Sequence, residues 1–217
     1  MPHREIQLDV PKSVGPLTWP MGLTFLRLLL LPVFLWLLLK DVPIDPGGGH
    51  PYRYAAVAIF VLMAATDKLD GWLARKLNQS SKLGALLDPV ADKLLVAASV
   101  VLLSFSSIAG PEFQIPTTVV IMVYAKDVFL ALGTLALLAL VGRVNIRARL
   151  PGKLSTVIQL ALVLATLLAG DLQRIGPQFT LGLLSSLWWA TVAIAIIASV
   201  DYFIQGWRQF KAAKTET

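Results

Sequence analysis

The stretch that decides the reading is DKLDGWLARKLNQSSKLGALLDPVAD, residues 67–92. It lies inside a chain that is otherwise built for lipid. Asp67, Asp70, Asp88 and Asp92 fall where apolar residues are expected. A carboxylate at bilayer depth costs roughly 2.5–3.5 kcal/mol even on lenient insertion scales. Four in one segment point to a shared purpose. A divalent cation site is the simplest, because hard cations take several oxygen ligands and offset the charge.

Helical spacing supports this. At about 100° per residue, Asp67, Asp70, Gly71 and Ala74 share one face. Gly84, Asp88 and Asp92 share one face of the next helix. The polar stretch RKLNQSSKL (75–83) reads as a brief turn, so the two helices pair antiparallel and the carboxylates converge. Gly71, Ala74 and Gly84 are small enough for close packing or for a flat ligand against the backbone. Arg75 borders this face, and a guanidinium there suits a diphosphate. The plainer reading is mutual neutralisation, since Lys68 and Lys93 sit beside the aspartates. A voltage sensor or an ion pathway is another use of intramembrane charge. Four aspartates on two faces, with small residues at fixed offsets, favour a metal or substrate site.

The composition agrees with a membrane protein. Of 217 residues, 56% are apolar and 15% charged, against about 25% charged in soluble domains. Six helical spans are expected near 21–39, 54–74, 84–104, 117–141, 154–169 and 181–204, giving an all-α polytopic fold. The chain reads as one membrane domain over 1–217, with an N-terminal segment at 1–20 and a tail at 206–217. The loops DVPIDPGGGHP (41–51) and AGPEFQIP (109–116) separate spans. The first span is too long, and lacks the small-residue site, to be a cleavable signal peptide.

Arg4, Lys12, Arg75, Lys76, Lys82, Arg143, Arg147, Arg149, Lys153, Arg208, Lys211 and Lys214 fall on one side of these spans. Only Lys40, Arg53 and Arg174 fall on the other. Positive loops stay inside, so both termini and the Asp-bearing ends are expected in the cytoplasm, with the chain in the cytoplasmic (inner) membrane. Without cysteine there is no disulfide, thiolate site or Cys nucleophile. His3 and His50 are too far apart for a histidine-based zinc site. The net charge of +6 is spread between apolar segments, so nucleic acid is not an expected partner.

The pattern Asp67-x2-Asp70-Gly71-x2-Ala74-Arg75-x8-Gly84-x3-Asp88-x3-Asp92 resembles the signature of the CDP-alcohol phosphatidyltransferases at every fixed position. Its wording is most similar to the bacterial phosphatidylglycerophosphate synthases and the related cardiolipin synthases. Pro20-Met21-Gly22-Leu23-Thr24-x2-Arg27-x4-Pro32 resembles the family's entry segment, departing at Met21 where Asn is usual. Gly152-Lys153-Leu154-Ser155-Thr156-x2-Gln159 resembles a later segment.

The resemblance implies transfer of a phosphatidyl group from CDP-diacylglycerol to an alcohol, with release of CMP. It implies that Asp67, Asp70 and Asp88 ligate Mg²⁺ or Mn²⁺. Asp92 would take the acceptor's proton and share in metal binding. Gly71, Ala74, Arg75, Gly84 and Thr24 would receive the donor nucleotide. A homodimer is implied too.

The acceptor is less determined. Glycerol 3-phosphate needs basic groups, and Lys126, Arg147, Arg149 and Lys153 are candidates. The motif wording puts glycerol 3-phosphate first. Lys126-Asp127 and Ser155 depart from the glycerophosphate enzymes toward the cardiolipin synthases, which keeps phosphatidylglycerol open as acceptor. The 181–204 span lacks the basic residue typical of inositol-phosphate enzymes. A six-span cation transporter is the reading from another class. It would need polar residues along several other spans, and few are present.

Overall fold

The computed structural model describes residues 19–40, 51–77, 82–141 and 150–215, with backbone alone at 19–21, 51, 67–77, 82–90, 92, 141 and 212–215. Every regular element among them is helical. In order these are α1 (Trp19–Lys40), α2 (Pro51–Leu77), α3 (Lys82–Leu102), α4 (Ser106–Ala109), α5 (Thr117–Val141), α6 (Leu150–Leu167), α7 (Ala169–Ile175) and α8 (Pro177–Thr215).

The long helices follow from apolar runs in which each backbone group is bonded within its own segment, the arrangement that lipid requires. α1, α5, α6 and α8 contain stretches long and apolar enough to cross a membrane. The apolar parts of α2 and α3 are shorter, Tyr52–Thr66 and Lys93–Leu102, because charged residues occupy the adjoining ends. As helices, α2 and α3 have 27 and 21 residues, or about 40 and 31 Å at 1.5 Å per residue. The chain is an integral membrane protein by these criteria.

Six of the helices overlap the stretches read as spans, and four of these are long and apolar enough to cross a membrane. α2 continues through Leu77 and α3 starts at Lys82, so both flanks of the expected 75–83 turn are helical. Continuing each helix satisfies backbone groups that a wider turn would leave unpaired. α8 runs to Thr215 rather than ending near 204. At 39 residues it is roughly 58 Å long, well beyond a bilayer core. α4 and α7 were not expected. They cap one end of the bundle. Ile108 and Ala109 of α4 join the main core, and the Ile115 amide donates to the Leu103 carbonyl at 2.9 Å.

α1 packs on both α2 and α3, while α8 packs on α5 and α6. The core joins Phe34 and Leu38 of α1, Phe60 and Met63 of α2, Leu95 and Val100 of α3, Val119 and Val123 of α5, and Leu162 and Val163 of α6. Outward faces are apolar, as at Ile121, Leu132, Leu135 and Leu138 of α5. Buried hydroxyls mostly fold back on their own helix. Ser99 donates to the Leu95 carbonyl at 2.6 Å, Thr191 to Leu187 at 2.8 Å and Thr180 to Gly176 at 3.0 Å. This local pairing lets a polar side chain sit in an apolar bundle without a partner elsewhere.

Candidate active site

One group of buried polar residues breaks that local pattern. Lys126 lies in the middle of α5, an otherwise apolar run, and is only 9% exposed. Its Nζ donates across to Ser155 Oγ on α6 at 3.0 Å. Gln159 Nε2 donates to the same oxygen at 3.4 Å. Ser155 is fully buried and serves as an acceptor for a cation, unlike the hydroxyls that donate to their own helix. Asp127 then balances part of the charge. It accepts from Lys93 Nζ at 2.6 Å and lies 3.6 Å from Lys126 Nζ.

These groups surround a cavity of about 270 Å³ between four helices. α3 contributes Lys93, Val96 and Ala97, and α5 contributes Val123, Lys126, Asp127 and Leu130. α6 adds Gly152, Lys153, Thr156 and Gln159, and α8 adds Ala198 and Tyr202. Gly152 lets Tyr202 approach closely, since a Cβ there would lie 2.9 Å from the Tyr202 hydroxyl and would make that side chain shift. Three ammonium groups, Lys93, Lys126 and Lys153, face one carboxylate, Asp127. An excess of positive charge lining a partly open cavity suits a small anion.

The α3 part of this lining, Lys93, Val96 and Ala97, directly follows the aspartate segment in sequence. Position 92 immediately precedes Lys93, and it lies about 40° around the helix and about 6 Å along it from Val96. Position 88 is one further turn back. The register of α2 likewise puts 67, 70, 71 and 74 along one face of a continuous helix. The side chains of Asp67, Asp70, Gly71, Ala74, Arg75, Gly84, Asp88 and Asp92 lie outside the described residues, as do Arg147 and Arg149 entirely. Among the described residues no three His, Asp or Glu side chains gather into a metal-ligating group.

Of the other expected residues, Thr24 is buried in α1, one turn before the buried Arg27. Lys126 and Lys153 line one cavity. Lys93 was weighed only as a neutraliser of the neighbouring aspartates, yet it pairs with Asp127, 34 residues away. Tyr202 was missed. Its only sequence signal is a tyrosine beside Asp201 near the end of the last apolar run, which is too common to single out.

The profile of the CDP-alcohol phosphatidyltransferase family matches residues 17–200. The chain is 32% identical over 202 residues to a CDP-diacylglycerol--glycerol-3-phosphate 3-phosphatidyltransferase of Bacillus subtilis (strain 168), covering 89% of this chain and 97% of that one. It is 31% identical over 188 residues to a probable phosphatidylglycerophosphate synthase of Mycobacterium tuberculosis (strain ATCC 25618 / H37Rv), covering 86% and 80%. A Pseudomonas fluorescens protein with the same name as the Bacillus one is 48% identical over 87 residues, 39% of this chain and 40% of that one. With the family profile covering most of its length and the signature unbroken, this chain belongs to the CDP-alcohol phosphatidyltransferase family.

Proposed function

We propose that this protein transfers the phosphatidyl group of CDP-diacylglycerol to glycerol 3-phosphate, giving phosphatidylglycerophosphate and CMP. The names carried by its relatives support this acceptor. The observation that carries it within this chain is the lysine-lined cavity one helical turn beyond position 92. Its surplus charge complements a phosphate. A three-carbon backbone spans the ~6 Å between that position and Val96, so a hydroxyl can sit at Asp92 while the phosphate sits among the lysines.

In this reading Asp67, Asp70, Asp88 and Asp92 hold a divalent cation, Mg²⁺ or Mn²⁺. The donor set fits, being oxygen-only and carried on two helices at spacings of three and four. When bound, such a cation supplies charge neutralisation at the diphosphate and at the leaving CMP. Arg75 holds a donor phosphate, and Gly71, Ala74 and Gly84 leave room for the nucleotide, with Thr24 on the adjoining α1. The Asp92 carboxylate takes the proton from the attacking hydroxyl. Lys126 and Lys153 bind the acceptor phosphate, with Arg147 and Arg149 available on the adjoining segment. Asp127 and Ser155 hold Lys126 in place, so most of the work is positioning and charge neutralisation.

The topology belongs to the same proposal. α1, α2, α3, α5, α6 and α8 form six spans of a single membrane domain over 1–217. The basic loops put both termini and the aspartates on the cytoplasmic side of the cytoplasmic membrane. Soluble glycerol 3-phosphate and metal ions are available there, while the donor's tails stay in the bilayer. The chain works as a homodimer.

CMP release tests the reaction. Purified protein with CDP-diacylglycerol is expected to release CMP only when both glycerol 3-phosphate and a divalent cation are present. Release at the same rate without acceptor would make the protein a hydrolase and contradict the proposal.

A further inference from the structure

Beside the lysine-lined cavity lies a second one, also about 270 Å³, between α5 and α8. Its lining is apolar, including Phe129, Gly133, Leu137, Phe203 and Trp207. Phe129, Phe203 and Trp207 are exposed on the lateral surface of the bundle, where hydrocarbon is expected. Two residues line both cavities, Leu130 and Tyr202. Leu130 is one turn beyond Lys126 on the same face of α5. Tyr202 reaches across from α8, and its hydroxyl lies 2.9 Å from where a Cβ on Gly152 would be, so the two are closely packed. These two side chains therefore form the wall between a cation-lined chamber and a groove open to lipid.

The wall matters because of the acceptors on its two sides. The headgroup of phosphatidylglycerol is a glycerol phosphate with a diacylglycerol esterified to its phosphate. Hydroxyl and phosphate have the same spacing in both molecules. A chamber that accepts one can disfavour the other through charge, since the diester carries one negative charge where the monoester carries about two, but it excludes the other by shape only if the exit through which the acyl chains must leave is closed. We infer that Tyr202 and Leu130 are that closure and so restrict the acceptor to a small, water-soluble phosphate. This rests on the reading of the lysine-lined cavity as the acceptor site.

Opening the wall should admit a lipid acceptor without new chemistry. The glycerol hydroxyl oxygen of phosphatidylglycerol would bond to the phosphatidyl phosphorus of CDP-diacylglycerol. The bond from that phosphorus to the bridging oxygen would break, CMP would leave with that oxygen, and the hydroxyl proton would pass to Asp92. The product would be cardiolipin. Removing bulk from a wall relaxes selectivity readily, whereas a binding contact is harder to create.

Tyr202→Ala and Leu130→Ala open the wall from different helices, so one serves if the other fails to fold. Each would be purified with the wild type and given CDP-diacylglycerol, Mg²⁺ and either glycerol 3-phosphate or phosphatidylglycerol, with products weighed by mass spectrometry. The wild type is expected to make phosphatidylglycerophosphate and negligible cardiolipin. Each folded variant is expected to make roughly ten-fold more cardiolipin than the wild type, the scale on which apolar pockets discriminate, with phosphatidylglycerophosphate still formed. Variants that keep making phosphatidylglycerophosphate but gain no cardiolipin would overturn the inference. So would a wild type that makes both products at similar rates. A wild type that makes no phosphatidylglycerophosphate would instead remove the acceptor reading on which the inference stands.

Discussion

Two polar regions among the described residues spend their charge differently. At the end capped by α4 and α7, Arg53 donates to the Ile108 carbonyl. Tyr54 donates to Asp171 at 2.8 Å, Arg174 lies 3.7 Å from Asp171, and Gln173 donates to Glu112 at 3.3 Å. Except for the Arg174–Asp171 pair within α7, each of these contacts ties a connecting segment to a long helix or to another connecting segment. Around Lys126 the contacts cross between α3, α5 and α6 instead, and they enclose space with more ammonium groups than carboxylates. A charge near an apolar core is therefore a poor guide to function by itself. Charge left over around a cavity is a better one.

Substitutions should separate the two regions. The largest effect is expected just beyond the cavity, at Asp92. Asp92→Asn removes the proton acceptor and should lower turnover by about 10²–10⁴-fold, the usual contribution of a general base. Binding of CDP-diacylglycerol, followed by equilibrium dialysis, should persist. Full turnover in this variant would remove Asp92 from that role.

Within the cavity, Lys126→Ala should raise the Michaelis constant for glycerol 3-phosphate by about ten- to a hundredfold, the range expected for a lost hydrogen bond to a charged group. A neutral alcohol acceptor should be little affected. An unchanged constant for glycerol 3-phosphate would take Lys126 out of the acceptor site. Lys93 is more than half exposed, so Lys93→Ala should act more weakly, by roughly a few-fold, since exposed pairs contribute little. Steady-state kinetics at two salt concentrations would read both.

At the capped end the expected effect is on stability alone. Arg53→Met leaves the Ile108 carbonyl without this donor and should cost roughly 1–3 kcal/mol, read as a lower midpoint in thermal unfolding. Tyr54→Phe should cost about 1 kcal/mol or less. The kcat/KM of the folded fraction should match wild type in both. A selective loss of activity there would erase the distinction between the regions.

The sequence made the long helices legible because each contains an apolar run. α5 occupies 117–141 as expected, starting after Pro116. The short helices were not legible. SSIA (106–109) has too few residues to show a period, and it is held by Arg53 and by core contacts from distant segments. α8 outruns its expected end because a span-length rule stops counting at the bilayer boundary. The helix continues where Gly206 lets Leu137 pack closely, 3.1 Å from where a Cβ would be.

The candidate site divides the same way. Lys126 stood out as a lone cation in an apolar run, and Lys153 fell in a recognisable segment. Lys93 did not stand out, because its partner is 34 residues away and sequence spacing cannot report a contact between α3 and α5. Ser155 read as a missing lysine, whereas its hydroxyl accepts from the lysine that is present. Tyr202 acquires meaning only from the two cavities it separates.

The most direct test of the account is the identity of the product. Purified protein would be given CDP-diacylglycerol and Mg²⁺ or Mn²⁺ with glycerol 3-phosphate or phosphatidylglycerol in parallel, and the lipids analysed by mass spectrometry. The account predicts phosphatidylglycerophosphate, formed only with glycerol 3-phosphate. Cardiolipin formed from phosphatidylglycerol, with no phosphatidylglycerophosphate from the other acceptor, would contradict it.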